Sequence, residues 1–192
     1  MSNYEYKDYK IRVSVASLTE QSRSYDKTIV IENSNFNKHI EMVVEHCGET
    51  KSILMISSYY TPIDSFVAPH IDGLFLMLND TLCVFDPQKL EIIRKNTINP
   101  IGTMFEVYPY KEDYILYGEL EIYRISSDLN MKWEFSGGDI FVRQQVNESA
   151  FEMKENKICL YDFYDNYYEI DYNGKIIVDK PSEEWLKIMH GK

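Results

Sequence analysis

The chain has 192 residues, enough for one domain that buries roughly 70% of the surface its unfolded chain exposes. Thirty-one Asp and Glu against twenty Lys and Arg leave a formal charge of −11, a field that repels nucleic-acid phosphates and anionic lipid head groups and attracts basic surfaces. Eight Gly and six Pro are too few for a disordered chain, whereas sixteen Tyr, nine Phe and two Trp suit strands, because flat rings pack well on pleated sheets.

The three cysteines, Cys47, Cys83 and Cys159, form no close-spaced pair, and an odd number cannot all pair within one chain. Reduced structural thiols are expected. The start, Met-Ser-Asn-Tyr-Glu-Tyr-Lys, has no apolar core of a signal peptide, and no uninterrupted apolar run reaches the roughly 18 residues of a membrane helix. The expectation is a cytoplasmic protein with no membrane and no nucleic-acid partner.

Taken in order, Ile11, Val13 and Val15 alternate with Arg12 and Ser14 inside Tyr4–Ala16, the period of a half-buried strand. Ser17–Tyr25 is polar and reads as a loop. Lys27–Glu32 is β-branched and reads as a second strand, and Asn33-Ser-Asn supplies turn chemistry. Phe36, Ile40, Val43, Val44 and Cys47 fall on one helical stripe, with Gly48 placed to end a helix, so a helix is expected over 36–47. The alternation of Ile40, Met42 and Val44 supports a strand as the alternative. Lys51–Tyr60 reads as a buried strand, ended by Thr61-Pro62.

From Phe66 to Asp179 a unit occurs three times, each with four short apolar runs separated by turn residues. The first has runs at 66–68, 74–78, 82–85 and 90–94. The second has them at 105–108, 114–117, 120–125 and 131–135, and the third at 150–153, 157–163, 167–171 and 175–178. Four runs with turns between them predict a four-stranded antiparallel meander. After the third unit, Lys180–His190 reads as a terminal helix capped by Ser182, with Trp185, Ile188 and Met189 on one face to dock on the sheet. The fold class expected is therefore mainly β: a single domain with a mixed β/α segment over 1–65, repeats over 66–179 and a short helix over 180–192.

The segment Leu120-Glu-Ile-Tyr-Arg-Ile, Ser-Ser-Asp-Leu-Asn, Met131-Lys-Trp-Glu-Phe resembles the blade signature of PQQ-type and related β-propellers. Thr81-Leu-Cys-Val-Phe-Asp-Pro and Tyr168-Glu-Ile-Asp-Tyr-Asn-Gly-Lys-Ile-Ile keep the strand-turn-strand outline without the Trp. The resemblance covers residues 66–179 and implies propeller-like four-stranded units. No cofactor-binding residue of those enzymes is recognisable, so no cofactor is implied.

Candidate chemistry is sparse. His39, His46 and Cys47 match no zinc-ligand spacing, and no metal site is expected from them. Cys83 and Cys159 fall inside predicted strands, as small core hydrophobes do. His70 beside Asp72 offers an acid–base pair for a hydrolase-like enzyme, although Pro69-His-Ile-Asp-Gly is also an ordinary turn. The stretch Tyr161–Tyr172 holds five Tyr and four acids with no Lys or Arg. Tyr gives a rigid contact area and carboxylates favour Arg or Lys across an interface, so Asp162, Asp165, Tyr167, Glu169 and Asp171 are the candidate partner-binding residues. Strand alternation places Asp162, Glu169 and Asp171 in water, with Tyr167 on the same outer face and Tyr161 and Phe163 inside.

These features predict a non-catalytic, acidic interaction module that covers a basic protein partner, as immunity proteins do for nuclease toxins. A small-molecule or glycan-binding β module using the Tyr-rich stretch, and an enzyme centred on His70 and Asp72, are the alternatives.

Overall fold

The computed structural model describes residues 2–16, 24–31, 38–57, 65–145 and 148–191. Four sheets follow one another along the chain. Sheet 1 contains β1 (Ser2–Tyr6), β2 (Tyr9–Val15), β3 (Lys27–Val30), β4 (Lys38–His46) and β5 (Glu49–Ser57) in the order β1-β2-β4-β5-β3, antiparallel except where β3 runs parallel to β5. Sheet 2 is the meander β6 (Val67–His70), β7 (Gly73–Leu78), β8 (Thr81–Asp86) and β9 (Glu91–Thr97). Sheet 3 is β10 (Met104–Tyr110), β11 (Asp113–Gly118), β12 (Glu121–Ile125) and β13 (Met131–Ser136). Sheet 4 is β14 (Phe151–Met153), β15 (Lys157–Tyr161), β16 (Tyr167–Asp171) and β17 (Ile176–Lys180), followed by α1 (Glu183–Met189). The three repeats are the three meanders, strand for strand.

Burial along each strand reports the stacking. Leu74–Leu78 in β7 and Leu82–Phe85 in β8 are buried on both faces, as an uninterrupted apolar run requires. In β16 the buried residues alternate with half-buried ones, the mark of a sheet covered on one side. Sheet 2 therefore lies inside, and one continuous core joins it to Ile11, Val13, Met42 and Ile53 of sheet 1 and to Val107, Leu116 and Tyr123 of sheet 3. A second core joins the other face of sheet 3, through Ile115, Ile122 and Phe135, to Phe151, Ile158, Leu160, Tyr168 and Ile170 of sheet 4. The first strands of sheets 1, 2 and 3 are neighbours: β6 contacts both β1 and β10. Side chains also tie each sheet to the next. Lys95 Nζ donates to the Ile31 carbonyl at 2.6 Å, Asn96 Nδ2 to that of Leu129 at 2.8 Å, and Trp133 Nε1 to that of Tyr172 at 2.9 Å.

Two expectations are corrected here. The helix expected over 36–47 is strand β4 over its described residues, 38–46. Val13, Met42 and Ile53 stand in register across β2, β4 and β5, so hydrogen-bonding partners on both sides override the helical stripe. Helix α1 is capped by Ser182, whose Oγ accepts from Trp185 N, but it does not dock through Trp185, Ile188 and Met189. Trp185 is half-buried against Tyr164, with ring centroids 5.2 Å apart, whereas Ile188 and Met189 are 51% and 64% exposed. The helix is anchored at its start, where Asn166 Oδ1 accepts from Ser182 N at 2.8 Å, and so leaves from the rim of sheet 4. The loop expected over 17–25 lies mostly outside the described residues, as do the turns at 33–35 and 61–62.

Candidate functional site

The Tyr-rich stretch spans β15, a loop over 162–166 and β16. Its two strands pair Tyr161 with Tyr167, Leu160 with Tyr168 and Cys159 with Glu169, which puts Tyr161, Tyr167 and Glu169 on the face of sheet 4 turned away from sheet 3. Tyr161 was expected inside with Phe163; the register places it outside, because Leu160 takes the core position. On this outer face Glu169 accepts from Lys157 Nζ at 2.6 Å and from Tyr167 Oη at 2.5 Å. The lysine contact, with the tyrosine second, holds the Glu169 carboxyl below its ordinary pKa. Burial and hydrogen bonds to Cys159 and Glu169 push the Tyr167 hydroxyl far up. Asp165 pairs with Arg143 at 3.0 Å, and the Arg143 guanidinium sits 4.3 Å from the centroid of the Tyr161 ring. Asp171 Oδ1 accepts from the backbone of Asn173 and Lys175 and so shapes the β16–β17 turn.

Asp162 is the second correction at this site. Expected in water, it is 0% exposed, while Phe163 is 37% exposed. The strand stops at Tyr161, and the loop folds around the carboxylate instead of continuing the alternation. Asp162 Oδ1 accepts from Tyr164 N and Asn166 N, both at 3.0 Å, and Oδ2 from Asn166 Nδ2 at 2.8 Å and Tyr168 Oη at 2.9 Å. Tyr168 Oη in turn accepts from Gly138 N at 2.8 Å. Four donors satisfy the charge that burial would otherwise penalise. The Asp-x-x-x-Asn spacing at 162–166 carried that signal, since short polar side chains bond to nearby backbone N–H groups.

The His70–Asp72 pair does not form. His70 is buried, and its Nδ1 accepts from Asp72 N at 2.9 Å, so Nε2 carries the proton and donates to the Ser127 carbonyl at 3.0 Å. Both nitrogens are thus engaged by the backbone. The Asp72 carboxylate turns to Arg94 at 2.7 Å, which holds its pKa below the ordinary carboxylate value. Beside His70 a cleft of about 280 Å³ opens between sheets 2 and 3, walled by Pro69, Ile71, Pro109 and Tyr114.

The His39–His46 spacing fails for a plain reason: on a strand, seven residues span roughly 23 Å. His46 meets instead Asp8, from the β1–β2 turn, and Cys47, from the β4–β5 turn. Nothing in the sequence linked Asp8 to this group, because 38 residues separate it from His46.

One mixed five-stranded sheet and three four-stranded antiparallel meanders, stacked with the first strands of sheets 1, 2 and 3 adjacent, give a propeller-like fold. The sequence matches no protein-family model and no curated protein sequence. The structure is similar to that of BamB from Moraxella catarrhalis, with a TM-score of 0.51 at 11% identity, over 92% of this chain and 62% of that one. It is also matched to Hsv2 from Kluyvelomyces marxianus, with a TM-score of 0.40 at 7% identity, over 74% of this chain and 45% of that one. The chain thus spans less than two thirds of the length of BamB, and the likeness is one of fold.

Proposed function

We propose that this protein is a non-catalytic interaction module that receives a basic protein partner on the outer face of sheet 4. One observation carries the reading: Tyr161 and Tyr167 stand on the face turned away from sheet 3, with Glu169 and Asp171 on β16 and Asp165 in the loop that joins the two strands. At its rim the aromatic group Phe163, Tyr164 and Trp185 adjoins Glu183 and Glu184. Aromatic anchors beside carboxylates suit a partner rich in Arg and Lys, since opposite charge steers encounter and burial of rings slows release. A formal charge of −11 adds a long-range pull of the same sign, as in the immunity proteins that cover basic nucleases. Asp162 belongs to the scaffold beneath this face. A cytoplasmic setting fits three free thiols.

The blades are also proposed to be of the PQQ type, supported by Trp133, which follows the Leu120–Ile125 run as that signature asks and bridges sheets 3 and 4.

Affinity purification of the chain from its native cell identifies stoichiometric partners. Association is then measured against salt for the wild type, for Asp165→Asn with Glu169→Gln and Asp171→Asn together, and for Tyr167→Ala. The triple variant is expected to associate several-fold more slowly at low salt, and Tyr167→Ala to dissociate faster. An association rate indifferent to salt and to the triple substitution rules this face out. A second reading, a small-molecule site distinct from the Tyr-rich stretch, is favoured by the cleft beside His70.

A further inference from the structure

We infer that Asp8, His46 and Cys47 form a binding site for a divalent cation of the zinc class, independent of the partner face on sheet 4. Three chemically different donors converge there. Asp8 Oδ2 lies 2.6 Å and Cys47 Sγ 3.4 Å from the same nitrogen, His46 Nε2, and all three ligand atoms fall within 4.8 Å of one another.

Those separations fit one ion. With bonds of about 2.3 Å to sulfur and 2.05 Å to nitrogen, a tetrahedral zinc sets the two donors about 3.5 Å apart. The Cys47–His46 distance of 3.4 Å is already that value. Asp8 has only to swing out by about 0.7 Å, from 2.6 to about 3.3 Å, and its side chain is 66% exposed on a turn.

The surroundings hold the donors in place. The His46 ring stacks on Tyr9, with centroids 4.1 Å apart and planes 11° apart, which aims Nε2 at the two turns. Cys47 and Gly48 both have positive φ, 50° and 83°, as a tight hairpin turn requires at its two central residues. Glu49 lines the same surface and adds negative charge. Glu45 is already paired with Arg12 at 2.8 Å.

Ligand chemistry chooses the ion. A thiolate and an imidazole favour zinc, cobalt and copper over calcium and magnesium, which take oxygen donors. Three protein ligands at the surface leave the fourth position for water or an incoming donor.

The test uses the untagged full chain, stripped of metal and kept reduced with a phosphine. Cobalt is titrated as the probe and followed by its thiolate charge-transfer absorption in the near ultraviolet, then displaced with zinc. One equivalent is expected to saturate the signal and zinc to abolish it. Cys47→Ser should remove the absorption, and Asp8→Asn and His46→Asn should each weaken binding at least tenfold. A Cys83→Ser, Cys159→Ser double variant should bind like the wild type. All the ligands are at the surface, so a circular dichroism melt of each variant checks that folding is unchanged. Absence of a saturable thiolate band, or its persistence in Cys47→Ser, overturns the assignment. So does equal zinc affinity in the wild type, Asp8→Asn and His46→Asn.

Discussion

The buried carboxylate of Asp162 is the strongest single commitment the structure makes. Replacing Asp162 by Ala removes the acceptor of four hydrogen bonds, from Tyr164 N, Asn166 N, Asn166 Nδ2 and Tyr168 Oη. Hydrogen bonds to a charged group contribute about 1.5–3 kcal/mol each when deleted singly, but those of one cluster are not additive, and water can enter the gap. Two of the orphaned donors belong to Asn166, itself 1% exposed, so their desolvation is not recovered. A loss of about 4 kcal/mol is expected for Asp162→Ala, which for a chain of this size lowers Tm by roughly 8–16 °C. Asp162→Asn keeps one acceptor for the two backbone donors and turns an NH2 group on Asn166 Nδ2 and Tyr168, for a loss of about 2 kcal/mol. The control is Asp165→Asn, a partly exposed ion pair with Arg143, expected to change stability by no more than about 1 kcal/mol. Urea unfolding followed by Trp and Tyr fluorescence, with thermal melts by circular dichroism, gives all three values. If Asp162→Ala lost no more than the Asp165→Asn control, Asp162 would not be a buried hub and the loop would not be folded around it.

Three further outcomes are expected. A thiol reagent at pH 8 should label Cys47 alone in the native protein, since Cys83 and Cys159 are buried and burial pushes the Cys83 thiol up to about 12; mass spectrometry of the labelled peptides reads this directly. Gly174→Ala should cost roughly 2 kcal/mol and shift Trp133 fluorescence, because φ is +84° and the added Cβ would lie 2.7 Å from Trp133 Cγ; Gly48→Ala, at φ +83° with open space around it, should cost about 1 kcal/mol. Asp26 accepts from Ser52 N at 2.8 Å and Ser52 Oγ at 3.1 Å, which lowers its folded pKa. Its contribution to stability is present above the unfolded carboxylate value of about 3.9 and is lost as pH falls through the lower folded value, so Asp26→Asn should lose less Tm than the wild type as pH is lowered below about 4.

Much of the fold was legible in the residues. The three meanders were set by apolar runs and turn residues, and the alternation in Tyr167–Asp171 gave that strand one apolar face. Ser182 announced the start of α1, because the N-cap is a local interaction between a side chain and the next turn. Such features depend on residues close in sequence. The remainder was decided by partners far away along the chain. Ile40, Met42 and Val44 could have lain on a helix or a strand, and only the ladders to β2 and β5 settled the matter. Asp162 could point out or in until a loop closed on it and Tyr168 met it from β16, held in turn by Gly138 N from the segment after β13. Asp8, His46 and Cys47 became a group only when antiparallel pairing of β1, β2, β4 and β5 brought two turns to the same end of sheet 1. Periodicity tells a strand which of its faces is apolar. What covers each face, where the strand stops and which turns meet are set by tertiary contacts between residues tens of positions apart.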